Sequence, residues 1–243
     1  MHLILFDIDG TLIRGKGMGR MALERAFGEV FDKHAEAHPE VHDVHIAGST
    51  DRVIIENMAR IYGIEGDHFQ MRYPEYEASY LRHLRITVAE SNEKQPCPGI
   101  PELLDRLHDN PRIELALLTG NLEPSARIKL EPFDLNRYFE VGGFGSDGHD
   151  RTDFARLARE RARQRTGRDF PSENVLVVGD TVFDVKAGRA HGFLTVGVGT
   201  GWASREVLEK AGVNAYFEDL TPQHGFEEWL EERWDLAPEA DPV

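Results

Sequence analysis

The sequence predicts an α/β fold: an open parallel sheet with crossover helices, into which one helical segment is inserted. Three observations carry that prediction. Four short apolar runs, LILF at 3 to 6, ELALL at 114 to 118, VLVV at 175 to 178 and LTVGV at 194 to 198, read as strands buried on both faces. Helical patterns separate the later ones, which is the strand–helix–strand order of a parallel sheet. From about Arg14 to Gln95 that alternation stops, and only helix-like segments are found.

Each element follows from its residues. In PELLDRLHD at 101 to 109, Leu103, Leu104 and Leu107 fall on one helical face. TDFARLARERARQ at 152 to 164 is also helical, and its arginines, part of a run to Arg168, read as a solvated face with Glu160 among their partners. The insertion contains GRMALERAFGEVF, DRVIIENMARIYG and YPEYEASYLRHLR as helices. Its far end is Gln95-Pro96-Cys97-Pro98-Gly99, a stiff turn suited to a boundary, and its near end lies around Arg14 to Gly19. The expected organisation is a core of residues 1–14 and 96–236, a helical cap of 15–95, and a disordered tail of 237–243.

Composition excludes several classes of function. The formal charge of -15 opposes nucleic-acid binding, which requires a field of the opposite sign. No run approaches the roughly 20 apolar residues of a membrane span, and the N-terminus meets aspartates before a signal peptide could develop. The single cysteine, Cys97, fits a reducing compartment, so a soluble cytoplasmic protein is expected. At 243 residues the chain can bury a core without staples.

The chemistry concentrates at strand ends. LILFDIDGT delivers Asp7 and Asp9 at the carboxyl end of a strand, followed by a turn at Gly10 and Thr11; ligands of open α/β sheets bind there. A chance Asp-x-Asp-Gly-Thr is expected in fewer than roughly one in a hundred chains of this length. Two carboxylates so close repel unless a cation joins them, and a hard divalent ion such as Mg²⁺ fits oxygen ligands. VLVVGDTVFDVKAGRAHG ends a second strand at Asp180, with Asp184 one helical turn later and able to point back to the same pocket. LALLTGNLE presents Thr119, Gly120 and Asn121 at a third tip, where a hydroxyl and backbone amides can hold phosphate oxygens or simply cap the next helix.

The order of these three signals resembles that of the haloacid dehalogenase superfamily of hydrolases, over the whole chain. The resemblance implies a Rossmann-like core with an α-helical cap between the first two motifs, of the phosphoglycolate phosphatase type. It implies Asp7 as nucleophile, Asp9 as general acid and base, Thr119 as a phosphate-oxygen donor, and Asp180 as magnesium ligand supported by Asp184; Asp7 and the backbone carbonyl of Asp9 would also face the metal. Gly10, Thr11, Gly120 and Asn121 would line the phosphate site. The family's Lys-Pro pair is missing. Arg151 in GFGSDGHDRTDF takes that place and is favoured as the cation, over Lys129 in ARIKL. Lys129 lies about ten residues beyond Thr119, about 15 Å along a straight helix.

Within the cap, AGSTDRVII resembles the loop with which relatives read the leaving group. Arg52 there either meets the substrate or is solvated, with Asp51 or Thr50 capping the next helix. His34, His38, His42 and His45 have metal-like spacings, but Pro39 interrupts any helix that would align them, so a solvated loop is expected. The expected function is Mg²⁺-dependent hydrolysis of a small phosphorylated metabolite through a phosphoaspartate on Asp7. A phosphosugar mutase is the alternative. A dehalogenase has no use for Asp9, a phosphonate-cleaving relative would need a cap lysine such as Lys16 or Lys33, and a non-catalytic binding module would not retain all four aspartates.

Overall fold

The computed structural model describes residues 1–64 and 66–236. The tail expected to be disordered, 237–243, lies outside the described residues. The chain runs β1 (His2–Phe6), β2 (Ile13–Arg14), α1 (Met18–Phe31), α2 (Asp51–Ile61), α3 (Gly66–Glu90), β3 (Gln95–Pro96), α4 (Ile100–His108), β4 (Ile113–Leu118) and α5 (Glu123–Leu130). It continues β5 (Gly142–Gly143), α6 (Arg151–Thr166), β6 (Val175–Gly179), α7 (Val182–Arg189), β7 (Leu194–Val198), α8 (Arg205–Ala211), β8 (Ala215–Phe217) and α9 (Phe226–Trp234).

Six strands form one parallel sheet in the order β5-β4-β1-β6-β7-β8. The four strands expected from sequence are its interior, with β1 between β4 and β6: Ile4 sits opposite Leu115 on one side and Leu176 on the other. Successive crossovers leave β1 in opposite directions, so a crevice opens at the carboxyl ends of β1, β4 and β6. The edge strands β5 and β8 were not expected; both are short, and neighbouring strands rather than apolar runs hold them.

Period-two alternation divides β1 between two cores. Ile4 and Phe6 join Leu103, Leu104 and Leu107 of α4 and Phe226, Leu230 and Trp234 of α9. Leu3 and Leu5 pack on α6 through Phe154 and through Ala155, Ala158 and Ala162, three small residues that let an arginine-rich helix lie close to the sheet. A third core, built on Phe27, Met58, Tyr76 and Tyr80, joins α1, α2 and α3 and takes in Leu122 and Ile128 of the α5 region. The segments leading into and out of these helices pair antiparallel, Ile13 with Pro96 and Arg14 with Gln95. Helix α3 begins at Gly66, earlier than the sequence segment starting at Tyr73 suggested. Pro74 lies inside it on an exposed position, where the carbonyl it leaves without an N–H partner can meet water.

Candidate active site

The tips of β1 and β6 bring three carboxylates together. Asp7, Asp180 and Asp184 are all buried, and one oxygen from each lies within 4.8 Å of the others. Asp7 is held at the strand end by its N–H, which donates to the Val178 carbonyl at 3.0 Å. Asp180 accepts from the Trp202 N–H at 2.8 Å. Asp184 closes a capping box at the start of α7, its Oδ2 accepting from the Thr181 N–H at 3.0 Å and hydroxyl at 2.7 Å. Gly10 turns at φ +87°, and a side chain there would press on Asp180; the glycine is required both by conformation and by space.

Arg151, 6 % exposed, neutralises part of this cluster. Its Nη2 lies 2.7 Å from Asp7 Oδ1 and 2.6 Å from Asp184 Oδ1, and also donates to the Leu118 carbonyl at 3.2 Å. Burial works against its charge, but Asp184 and Asp7 outweigh burial and hold it protonated. Three carboxylates against one guanidinium leave a formal charge of two negatives. Burial pushes the Asp7 carboxyl up; Arg151 opposes this, while Asp184 and Asp9 add to it. Asp180 is likewise raised by burial and by Asp7 and Asp184. The buried Asp184 Oδ1 has the Arg151 guanidinium as its charged partner. An all-oxygen set of three buried carboxylates, whose mutual repulsion one guanidinium only partly offsets, fits one divalent cation.

The second half of the site is built around Asp9. Lys129 Nζ lies 2.6 Å from Asp9 Oδ2 and donates to Asn121 Oδ1 at 2.6 Å, while Asn121 Nδ2 donates to Asp9 Oδ2 at 2.8 Å. Burial raises the Asp9 carboxyl, yet the Lys129 charge and these hydrogen bonds bring it below its ordinary value. Thr119 is fully buried, and its Oγ1 accepts from the Asn121 N–H at 3.2 Å and from Asn121 Nδ2 at 2.8 Å. With both acceptances used, the hydroxyl proton is free for an oxygen in the site.

Several sequence expectations change here. Both candidate cations reach the strand tips: Arg151 pairs with Asp7 and Lys129 with Asp9. The reach argued against Lys129 fails because α5 turns back after the Thr119 loop and its last turn faces the strand tip. The Asn121 amide is occupied by Thr119, so its side chain, not its N–H, serves the site. The Thr11 hydroxyl donates to Asp180 Oδ1 at 3.4 Å, placing it beside one of the three clustered carboxylates. The Asp9 side chain is not one of the three clustered carboxylates. Arg52, expected either to meet a substrate or to be solvated, pairs with Glu56 at 2.7 Å on its own helix and lies over the Tyr73 ring at 4.3 Å. Three of the loop histidines meet carboxylates, His34 with Asp32, His38 with Glu40 and His42 with Glu24.

The loop before α2 covers the strand tips. The Gly48 carbonyl accepts from Arg151 Nη1 at 3.4 Å, and Gly120 is so close beneath that a side chain there would fall 2.5 Å from the Ser49 carbonyl oxygen. Sequence reading missed the side-chain role of Asn121 and the involvement of Asp51, which accepts from the Leu122 N–H and the Ser125 hydroxyl. No local pattern marks them, because their partners are far away in sequence or lie across the site.

A sheet crevice holding a buried three-carboxylate cluster with its own arginine, and a carboxylate–lysine pair beside it, is the apparatus of a hydrolase that acts on an anionic ester. The family model for haloacid dehalogenase-like hydrolases matches residues 1–192, and the chain belongs to that family. It is 28% identical to the phosphoglycolate phosphatase of Aquifex aeolicus over 200 residues, 80% of this chain and 83% of that one. It is 26% identical to the phosphorylated carbohydrates phosphatase of Thermotoga maritima over 201 residues, 79% of this chain and 82% of that one. The fold matches CbbY of Rhodobacter sphaeroides in complex with phosphate at a TM-score of 0.69 and 21% identity, covering 91% of this chain and 95% of that one. Within its family the chain is an enzyme of the phosphatase kind.

Proposed function

We propose that the protein hydrolyses a small phosphate monoester through a phosphoaspartate on Asp7, with Mg²⁺ held by Asp7, Asp180 and Asp184. The observation that carries this reading is the pairing of each N-terminal aspartate with its own cation, Asp7 with Arg151 and Asp9 with Lys129. A bound Mg²⁺ supplies the positive charge that lets a phosphate dianion approach three carboxylates.

An Asp7 oxygen attacks phosphorus in line, the new P–O bond forming as the bond to the leaving oxygen breaks. Asp9 gives that oxygen its proton, then takes a proton from water, which attacks the phosphoaspartate and returns Asp7 as a carboxylate with free phosphate. Asp9 in the substrate-free site is held ionised by Lys129. An arriving phosphate competes for Lys129 and adds negative charge, both of which push the Asp9 carboxyl up, so that it takes from solvent the proton it then gives to the leaving oxygen. Thr119, Arg151 and Lys129 hold phosphate oxygens as charge moves in the transition state.

In this reading residues 15–95 act as a cap on the paired β2–β3 segments, and loop 46–50 confines the leaving group. The closeness of that loop to Gly120 and Arg151 favours a leaving group of a few atoms, of which phosphoglycolate is an example. Replacing Asp7 with Asn is expected to lower phosphate release from p-nitrophenyl phosphate by more than about 10³-fold with Mg²⁺ present, while the fold is retained. Undiminished turnover would remove Asp7 as nucleophile.

A further inference from the structure

Asp51 has no place in the chemistry above, yet it is 7 % exposed and carries three hydrogen bonds on one oxygen. Its Oδ2 accepts from the Leu122 N–H at 2.9 Å, the Ser125 hydroxyl at 2.8 Å and the Tyr80 hydroxyl at 3.3 Å. Its own N–H donates to the Gly120 carbonyl at 2.8 Å. Asp51 opens α2 in the helical insertion, whereas Gly120, Leu122 and Ser125 belong to the loop and first turn that follow β4. Asp51 does not cap its own helix; the neighbouring Thr50 does so, accepting from the Val53 N–H at 3.2 Å.

The helix that receives this carboxylate lacks a cap of its own. Leu122 stands at the N-cap of α5 and has no oxygen to offer, and Pro124 follows inside the first turn. The Glu123 N–H that opens α5 donates to the Ser146 hydroxyl at 2.9 Å, but the Leu122 N–H before it and the Ser125 hydroxyl in its first turn are satisfied from across the interface by Asp51, whose charge also faces the positive end of α5. Helix α5 carries Lys129 in its last turn, and Asn121 immediately precedes it; these are the two residues that hold Asp9. No substrate contact is needed for Asp51 to matter.

We infer that Asp51 is a positioning residue: a carboxylate of the cap that completes core helix α5 and so aligns Lys129 and Asn121 on Asp9 only while the cap is seated. The inference rests on the cap and acid–base reading above. It makes loss of cap contact and loss of Asp9 alignment one event, so proton transfer is switched off whenever the site is open to bulk water.

The test is a double-mutant cycle in kcat between Asp51→Ala and Lys129→Met, using p-nitrophenyl phosphate. Asp51→Ala alone is expected to lower kcat about 10-fold, the size of a lost cap amplified through one contact. On the Lys129→Met background the same change is expected to cost less than about 2-fold, because the group it positions is gone. Ser125→Ala should show the same dependence at smaller size, which keeps the question open to measurement if Asp51→Ala folds poorly. Equal losses on both backgrounds, or no loss in the wild-type background, would overturn the inference. Amide exchange of the 120–130 segment reads it independently of turnover: Asp51→Ala is expected to speed exchange there, and unchanged protection would overturn the inference even if the proposed phosphatase reaction holds. Faster exchange in a chain that hydrolyses no ester would support the anchoring and sink only the reaction assignment.

Discussion

Asp7 and Asp9 stand two residues apart on one strand end, and the fold pushes their carboxyls in opposite directions. Asp7 is raised by burial and by Asp184 and Asp9 against the pull of Arg151, while Asp9 is lowered by Lys129 and Asn121 despite burial. Lys129→Met removes the charge that keeps Asp9 ionised, so its carboxyl rises in the free enzyme. Phosphoryl transfer needs Asp9 protonated, so activity is lost as pH rises through that carboxyl's pKa, and the alkaline limb of kcat/KM is therefore expected to move to higher pH in the variant. A pH–rate profile checks the direction, and a shift to lower pH would contradict the pairing. The aspartates themselves were readable from sequence because each sits at the end of an apolar run, within a few residues of its motif partners. Which cation serves which aspartate was not. Arg151 and Lys129 lie 144 and 120 residues from the carboxylates they meet, and only packing sets those distances.

At the scale of elements, the interior strands were readable because a strand buried on both faces must be apolar throughout. The β5 and β8 edges carry no such requirement and left no mark. Strand β1 is also tied to the far end of the chain: His2 stacks on Trp234 of α9 at 4.3 Å between ring centres, and the ring is 6 % exposed with Nδ1 unpartnered. Burial, with the N-terminal charge and Arg112, lowers the His2 pKa to about 4 from its ordinary 6.5. Above pH 6.5 both folded and unfolded chains hold this ring neutral. Between 6.5 and about 4 the unfolded chain binds the proton first, so stability falls as pH falls, by at most about 1.4 kcal/mol per unit. Urea unfolding at pH 7 and pH 5 is expected to show a smaller loss for His2→Phe, which keeps the stacking and removes the titration, than for the wild type. An equal loss in both would place the acid sensitivity elsewhere.

For the whole molecule, the three-carboxylate cluster is a cost borne by the folded state. Its carboxylates repel one another in a buried site, which pushes the Asp7 and Asp180 carboxyls up, and a divalent ion that binds only the folded chain relieves that repulsion. At 100 times its dissociation constant such an ion adds about 2.7 kcal/mol, which for a chain of this size is about 5–10 °C in Tm. Thermal unfolding with Mg²⁺ and with EDTA should differ by that order. Asp180→Asn should raise the metal-free Tm while removing most of the response; a variant that kept the full Mg²⁺ shift would take Asp180 out of the metal set. Among the described residues no helix is long and apolar enough to cross a membrane. By itself the sequence determined the parallel sheet, the helical insertion and the four aspartates, because strand burial and helix periodicity are local patterns and the aspartates are attached to them. The tertiary structure decided that both Arg151 and Lys129 enter the site, that Arg52 turns to Glu56 and Tyr73, and that Asp51 reaches across to α5. Those outcomes depend on how separate helices pack over the strand tips, and side-chain direction across an interface is settled by packing rather than by spacing along the chain.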